Sequence, residues 1–232
     1  MSQIPLGIAL EDLARFETFL PGANELTLAA LRDLKFPGAW LYGPAGSGKS
    51  HLLQAYSAAC EAPYYSLGML PSFQAITLPT GLKALVLDDV DKVLGQPEWE
   101  QELFSIYNQV QQSGGLILLS SATSPVESDF CLADLRSRFQ ALPVFRLQEL
   151  SDDECVDALM LRAESRGLTV ARKTLRYMVQ RMPRDMSSLY GLLDKLDRYS
   201  WETGRAVTVS LLRDYLAEPA RDSQEPAEKT QQ

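Results

Sequence analysis

The chain has 232 residues, 46% hydrophobic and 22% charged, enough for one large domain or a core with a small appendage. Its net charge of −8 excludes a large duplex-DNA footprint, because phosphate contacts need clustered Lys and Arg. Cys60, Cys131 and Cys155 are too scattered for a disulfide framework or a zinc site.

Residues 1–10 read as a flexible tail. The opening Met1-Ser-Gln-Ile-Pro-Leu lacks the basic and apolar regions of a signal peptide. No apolar run reaches the roughly eighteen residues that span a bilayer, so a cytoplasmic protein with no membrane partner is expected. From about 36 to 147 short apolar runs alternate with amphipathic ones. Ala39-Trp-Leu-Tyr-Gly43 is a strand entering a Gly-rich turn, and Lys49–Cys60 is the helix that leaves it. Pro63–Leu67 is a weaker strand, and Ala84–Asp88 has the short apolar run of a buried parallel strand. Glu98–Gln112 is helical, with Leu103, Ile106, Tyr107 and Val110 at three- and four-residue spacing. Leu116–Ser120 and Val144–Leu147 complete the strands. Alternating strands and helices give the α/β class, a parallel sheet covered on both faces, over 11–149. Trp40, Tyr42, Phe104 and Tyr107 fall at packing periodicity and read as core. Tyr64, Tyr65 and Phe73 carry no functional reading.

After 150 the strands stop. Ser151-Asp-Asp-Glu154 is a capping box opening the first of four helices, roughly 152–166, 172–182, 186–203 and 209–216. Residues 150–217 are therefore an all-helical appendage. The polar, Pro-containing stretch 218–232 has the composition of a disordered tail.

Gly43-Pro44-Ala45-Gly46-Ser47-Gly48-Lys49-Ser50 matches G-x-x-x-x-G-K-[ST] between a strand and a helix, the P-loop pattern. Glycines let the backbone wrap phosphates and aim N–H groups inward, and the helix N-terminus adds partial positive charge. Lys49 supplies a full charge beside the outer phosphates. The Ser50 hydroxyl can ligand Mg²⁺, and His51 follows in the first turn of the same helix. Asp88, at the end of an apolar strand, is the second Mg²⁺ candidate. Asp89 beside it either orients an attacking water or merely caps the turn.

The order of motifs resembles the DnaA replication-initiator family of AAA+ proteins. Phe16-Glu-Thr-Phe-Leu-Pro-Gly-Ala-Asn24, Leu85-Val-Leu-Asp-Asp-Val90 and Asp134-Leu-Arg-Ser-Arg-Phe139 carry the likeness. Glu98-Trp-Glu, Leu103–Asn108, Leu150–Glu154 and Leu159–Gly167 resemble most closely the family's short paralogues, the inactivators of DnaA. The resemblance covers about 10–216. It implies a five-stranded AAA+ core and a helical lid (150–217), with ADP or ATP and Mg²⁺ as cofactors. It also implies an arginine finger, which by motif match is Arg138. A guanidinium brought to a neighbour's γ-phosphate stabilises transition-state charge. The alternative for Arg136 and Arg138 is a salt bridge where core meets lid.

The family's sensors are altered: the polar one falls on Ala122, with Ser121 or Thr123 as substitutes, and the lid arginine falls near Ser187, with Arg184 a turn away. Weak or absent intrinsic ATPase activity follows. The initiators' helix-turn-helix signature does not occur before residue 232, which favours a regulator that meets DNA only indirectly. At the other end, Gln3, Ile4, Pro5, Leu6 and Ile8 resemble the inactivators' peptide for the replicative sliding clamp, the β subunit of DNA polymerase III. Without the resemblance they read as a simple disordered start.

The expected function is negative regulation of replication initiation, by stimulating hydrolysis of DnaA-bound ATP together with the DNA-loaded clamp. A homo-oligomer is possible on the same grounds. A helicase-loader-like ATPase and a small-molecule phosphotransferase are the competing readings.

Overall fold

A computed structural model describes residues 14–35, 37–79, 81–183 and 185–217. The chain divides into two compact units at Glu154/Cys155.

In the first unit, α1 (Glu25–Arg32) precedes the inner strand β1 (Gly38–Tyr42), and α2 (Lys49–Cys60) follows it. Then come β2 (Tyr64–Ser66), β3 (Ala84–Asp88), α3 (Pro97–Gln112), β4 (Leu116–Ser121), α4 (Ala133–Gln140) and β5 (Val144–Arg146). The five strands form one sheet in the order β2-β3-β4-β1-β5, and every pair is parallel. The central strands are buried on both faces, which is why they read as unbroken apolar runs.

Alternation along them still sorts the side chains. Trp40, Leu85, Leu87, Ile117 and Leu119 face α3 and α4, meeting Leu103, Ile106, Tyr107, Val110, Leu135 and Phe139. Ala39, Leu41, Ala84, Val86 and Leu118 face the other way, onto Leu28 and Leu31 of α1 and Leu52, Leu53 and Tyr56 of α2. The expected core aromatics Trp40 and Tyr107 are buried, with Tyr42 and Phe104 packed at the margin. Trp40 and Phe139 stand 5.7 Å apart, ring to ring.

Helix α3 begins one residue before its expected start, at Pro97, where the missing N–H costs nothing in a first turn. The strand expected over 144–147 stops at Arg146, though Leu147 N–H still donates to the Tyr42 carbonyl at 2.7 Å. The capping box is formed as read. Ser151 N–H and Oγ donate to Glu154 Oε2 at 2.8 and 2.6 Å, and Glu154 N–H returns to Ser151 Oγ at 3.4 Å.

That box opens α5 (Asp152–Ser165). Helices α6 (Arg172–Arg181), α7 (Met186–Thr203) and α8 (Val209–Ala217) complete the second unit. Leu159, Leu175, Leu193, Leu196, Leu211 and Leu212 are buried within it. Arg162 reaches Asp194 at 2.8 Å and lies over the Tyr190 ring at 4.6 Å, so a charged residue is buried only with its partners. Helix α7 is capped by the Asp185 carboxylate, which accepts the N–H groups of Ser187 and Ser188. No helix among the described residues is long and apolar enough to cross a membrane.

Candidate functional site

The loop between β1 and α2 is shaped by contacts that leave no space for side chains. A Cβ on Gly43 would lie 2.4 Å from the Leu147 carbonyl oxygen. Gly48 has φ +92°, in the left-handed region, and a Cβ there would lie 2.6 Å from Cε2 of Phe19. Phe19 therefore plugs the back of the loop, a physical reason for an aromatic in the segment that precedes the first strand.

Lys49, nearly buried, curls back so that Nζ donates to the carbonyls of Gly43 and Pro44, each at 2.8 Å. Burial lowers the Lys49 pKa, opposed by the negative charges of Asp88, Asp89 and Asp91. Ser50 is exposed at the start of α2, while the Ser47 hydroxyl is buried without a hydrogen-bond partner.

A cradle closed to side chains, an orphaned hydroxyl inside it, an ammonium and first-turn N–H groups with no intrahelical acceptor suit a nucleotide's phosphates. Residues 43–48 would wrap them, with Lys49 at the outer phosphates. Among the described residues no group of three or more His, Cys, Asp or Glu could hold a metal alone. Mg²⁺ would use Ser50 and Asp88 plus phosphate and water oxygens, the usual coordination for this ion. His51 offers only its backbone, for its ring nitrogen lies 3.0 Å from the Arg15 carbonyl and 3.3 Å from Thr18 Oγ1, and the ring packs on Phe19.

Asp88 is 1% exposed. Its Oδ2 accepts the Tyr64 hydroxyl at 2.6 Å and its Oδ1 accepts the Ser120 hydroxyl. Gln54 of α2 donates to the Tyr64 oxygen at 3.4 Å. Burial and the adjacent Asp88 push the Tyr64 phenol above its usual range, so it remains a proton donor. Asp89 sits at φ +58°, in the left-handed region, with its N–H on Ser120 Oγ at 3.0 Å. Burial raises the Asp89 pKa, reinforced by Asp88 and Asp91 and opposed by Lys49 and Lys92.

The substitutes proposed for the β4 sensor face elsewhere: Ser121 Oγ accepts Thr123 N–H, and Thr123 Oγ1 pairs with Ser128 Oγ. The side chain at the end of β4 that touches the acids is Ser120. Neither it nor Tyr64 was marked by the sequence, because contacts across neighbouring strands leave no local pattern.

Helix α4 buries Leu135 and Phe139 and exposes Arg136 and Arg138. Arg136 donates to the Phe130 carbonyl at 3.2 Å. Arg138 makes no hydrogen bond or ion pair with any other described residue of its own unit. The approach to α4 is fixed by Glu100, fully buried on α3. Its Oε1 accepts N–H from Gly95 (2.8 Å) and Cys131 (3.0 Å), and its Oε2 accepts N–H from Leu132 (2.6 Å). Likewise Asn24 exchanges two bonds with the Gln148 backbone, at 2.9 and 2.8 Å, which gives that residue of the N-terminal motif its role. Gln3, Ile4, Pro5, Leu6, Ile8, Arg184 and the 218–232 tail lie outside the described residues.

A P-loop after β1 of a five-stranded parallel sheet, paired acids at the end of β3 with β4 inserted between the two strands, and a following helical unit define the AAA+ class. A family model described as the Hda lid domain matches residues 152–216. An uncharacterized protein of Haemophilus influenzae is 33% identical, over 92% of this chain and 98% of its own. Domain III of the Thermotoga maritima replication initiation protein DnaA superposes with a TM-score of 0.71 at 24% identity, over 90% of this chain and all of that one. The replication initiator DnaA bound to AMPPCP and single-stranded DNA gives 0.65 at 20% identity, over 84% of this chain and 67% of that one. The Thermotoga maritima RuvB branch migration motor gives 0.58 at 16%, over 87% and 67%. The chain therefore has the AAA+ fold of DnaA domain III, is related over nearly its whole length to the Haemophilus influenzae protein, and is Hda-like over residues 152–216.

Proposed function

We propose that the chain is a regulatory inactivator of DnaA. It holds ADP (or ATP) with Mg²⁺ at Gly43–His51 and Asp88, and docks on the DNA-loaded sliding clamp through Gln3, Ile4, Pro5, Leu6 and Ile8. From there it presents Arg138 to the ATP held by DnaA. The guanidinium adds positive charge where the γ-phosphate's negative charge spreads as it departs, and hydrolysis to the ADP form of DnaA restrains repeat initiation. DnaA and the clamp are the partners, and DNA is met through them.

The observation that carries this reading is Arg138 itself. It is an exposed guanidinium engaged by no other described residue of its own unit, on a helix whose approach is pinned by a buried carboxylate. A side chain kept for packing or internal pairing would be covered or paired. One on a fixed platform, facing outward, fits a role in trans. The DnaA relative bound to AMPPCP supports nucleotide in the equivalent fold.

The test combines the protein, clamp loaded on DNA and ATP-bound DnaA, with ADP production followed over time. Arg138→Ala should lower the stimulated rate by roughly a thousandfold, the scale of a lost arginine finger, and leave nucleotide affinity unchanged. Leu6→Ala should reduce stimulation through loss of the clamp. Full stimulation by both variants refutes the assignment. A helicase-loader-type ATPase is the second reading, favoured by Lys49, Ser50, Asp88 and Asp89 all being in place. Brisk turnover by the protein alone, without DnaA, would establish it.

A further inference from the structure

Strand β2 is three residues long and lies at the sheet edge beside β3. Its two tyrosines point to opposite faces, as period-two geometry requires. The Tyr65 hydroxyl is taken up by Thr77, donating to its carbonyl at 2.8 Å and accepting its N–H at 3.2 Å. Tyr64 instead donates to Asp88, in a hydrogen-bonded chain that crosses four elements: Gln54 on α2, Tyr64 on β2, Asp88 on β3 and Ser120 on β4. Each oxygen of Asp88 is thus already an acceptor for an O–H group, and the residue as a whole is buried.

An O–H···O⁻ bond is about twice as strong as its neutral counterpart. Mg²⁺ demands near-ideal octahedral geometry and gives up its waters reluctantly. A cation, or a water bound to one, must therefore compete with a phenol for the oxygen it needs. We propose that Tyr64 is a positioning residue that competes with Mg²⁺ for Oδ2 of Asp88, leaving nucleotide held mainly by the P-loop and only weakly dependent on the metal. This rests on the reading of Gly43–Ser50 as a nucleotide site. It gives the expected weak ATPase activity a local cause, separate from the altered sensors.

The experiment measures binding of a fluorescent ADP analogue to the full chain while Mg²⁺ is titrated from a chelated start. The wild-type affinity should change little. Tyr64→Phe removes the hydroxyl but keeps the ring, and should make the affinity with saturating Mg²⁺ about tenfold tighter than without, the scale of one hydrogen bond to a charged group. Tyr65→Phe should behave as wild type. Ser120→Ala frees the other oxygen and should shift the metal dependence in the same direction, so the test does not depend on one variant. Identical metal dependence in wild type and Tyr64→Phe overturns the proposal, as does a strong wild-type dependence that Tyr64→Phe weakens. Absence of ADP binding by the wild type, or binding unaffected by Lys49→Ala, overturns the nucleotide reading and the proposal together.

Discussion

Replacing Glu100 with Gln tests whether one buried carboxylate holds the segment that leads to α4. The side chain is fully buried and accepts three backbone N–H groups, from Gly95, Cys131 and Leu132. A glutamine keeps the shape but has only one accepting oxygen. With that oxygen placed at Oε1 it retains Gly95 and Cys131, and its own NH₂ then faces the Leu132 N–H, which approaches Oε2 at 2.6 Å in the wild type. Two donors meet, so one charge-assisted bond is lost and one N–H is left unsatisfied. Each loss is on the order of 1.5 kcal/mol, and relief of the buried charge offsets a part, for a net destabilisation of about 2–3 kcal/mol. Urea unfolding followed by circular dichroism should show a lower midpoint with an unchanged slope, and the melting temperature should fall by roughly 4–12 °C for a unit of this size. Amide exchange should accelerate at Cys131 and Leu132 before it does in the central strands. A variant within about 0.5 kcal/mol of wild type, with unchanged exchange at those two amides, would refute the argument.

Three further outcomes follow from the geometry. Gly48→Ala puts a methyl group against Phe19 in a left-handed backbone position, and should cost roughly 1–3 kcal/mol and weaken nucleotide binding measured by fluorescence titration. Asp89 has a raised pKa, so the folded state binds a proton more readily than the unfolded one. Its contribution falls as pH rises from the unfolded value of 3.8 through the higher folded one, and Asp89→Asn should raise the melting temperature at neutral pH and flatten that part of the pH profile. Asp185 is opposite in sign: burial raises its pKa, but bonds from Ser188 and Ser187 outweigh that and lower it, so its stabilisation is present above 3.8 and lost as pH falls through the folded value. Asp185→Ala should cost about 1 kcal/mol at neutral pH, read from urea midpoints, and nothing in strong acid.

What the sequence revealed and what it hid divide along the distance between interacting residues. The runs Ala39–Tyr42, Ala84–Asp88 and Leu116–Ser120 announce buried parallel strands because each is apolar over its whole length. Gly43–Ser50 announces a phosphate loop because all its parts are contiguous. Ser151–Glu154 caps its helix within four residues, and was legible for that reason. Glu100 carries no local signal of its role, since its three amide partners lie 5 to 32 positions away. Tyr64 looked like one more strand aromatic, and Ser120 like the end of an apolar run, until strand pairing brought both to Asp88. Helix α1 escaped notice as well: it is eight residues long, and only Thr27, Leu28 and Leu31 mark its inner face.

The Asn24 pair with Gln148 and the packing of Phe19 behind Gly48 set a boundary for any shortening of the chain. Substitutions confined to Gln3–Ile8 leave the residues of the stitch and the plug themselves in place, so loss of the proposed docking peptide can be separated from damage to the phosphate loop. Cuts that pass Phe19 unseat the loop from behind, and those that pass Asn24 also release the strand end that follows β5. A truncation that abolishes every activity at once would then report a collapsed loop rather than a missing partner.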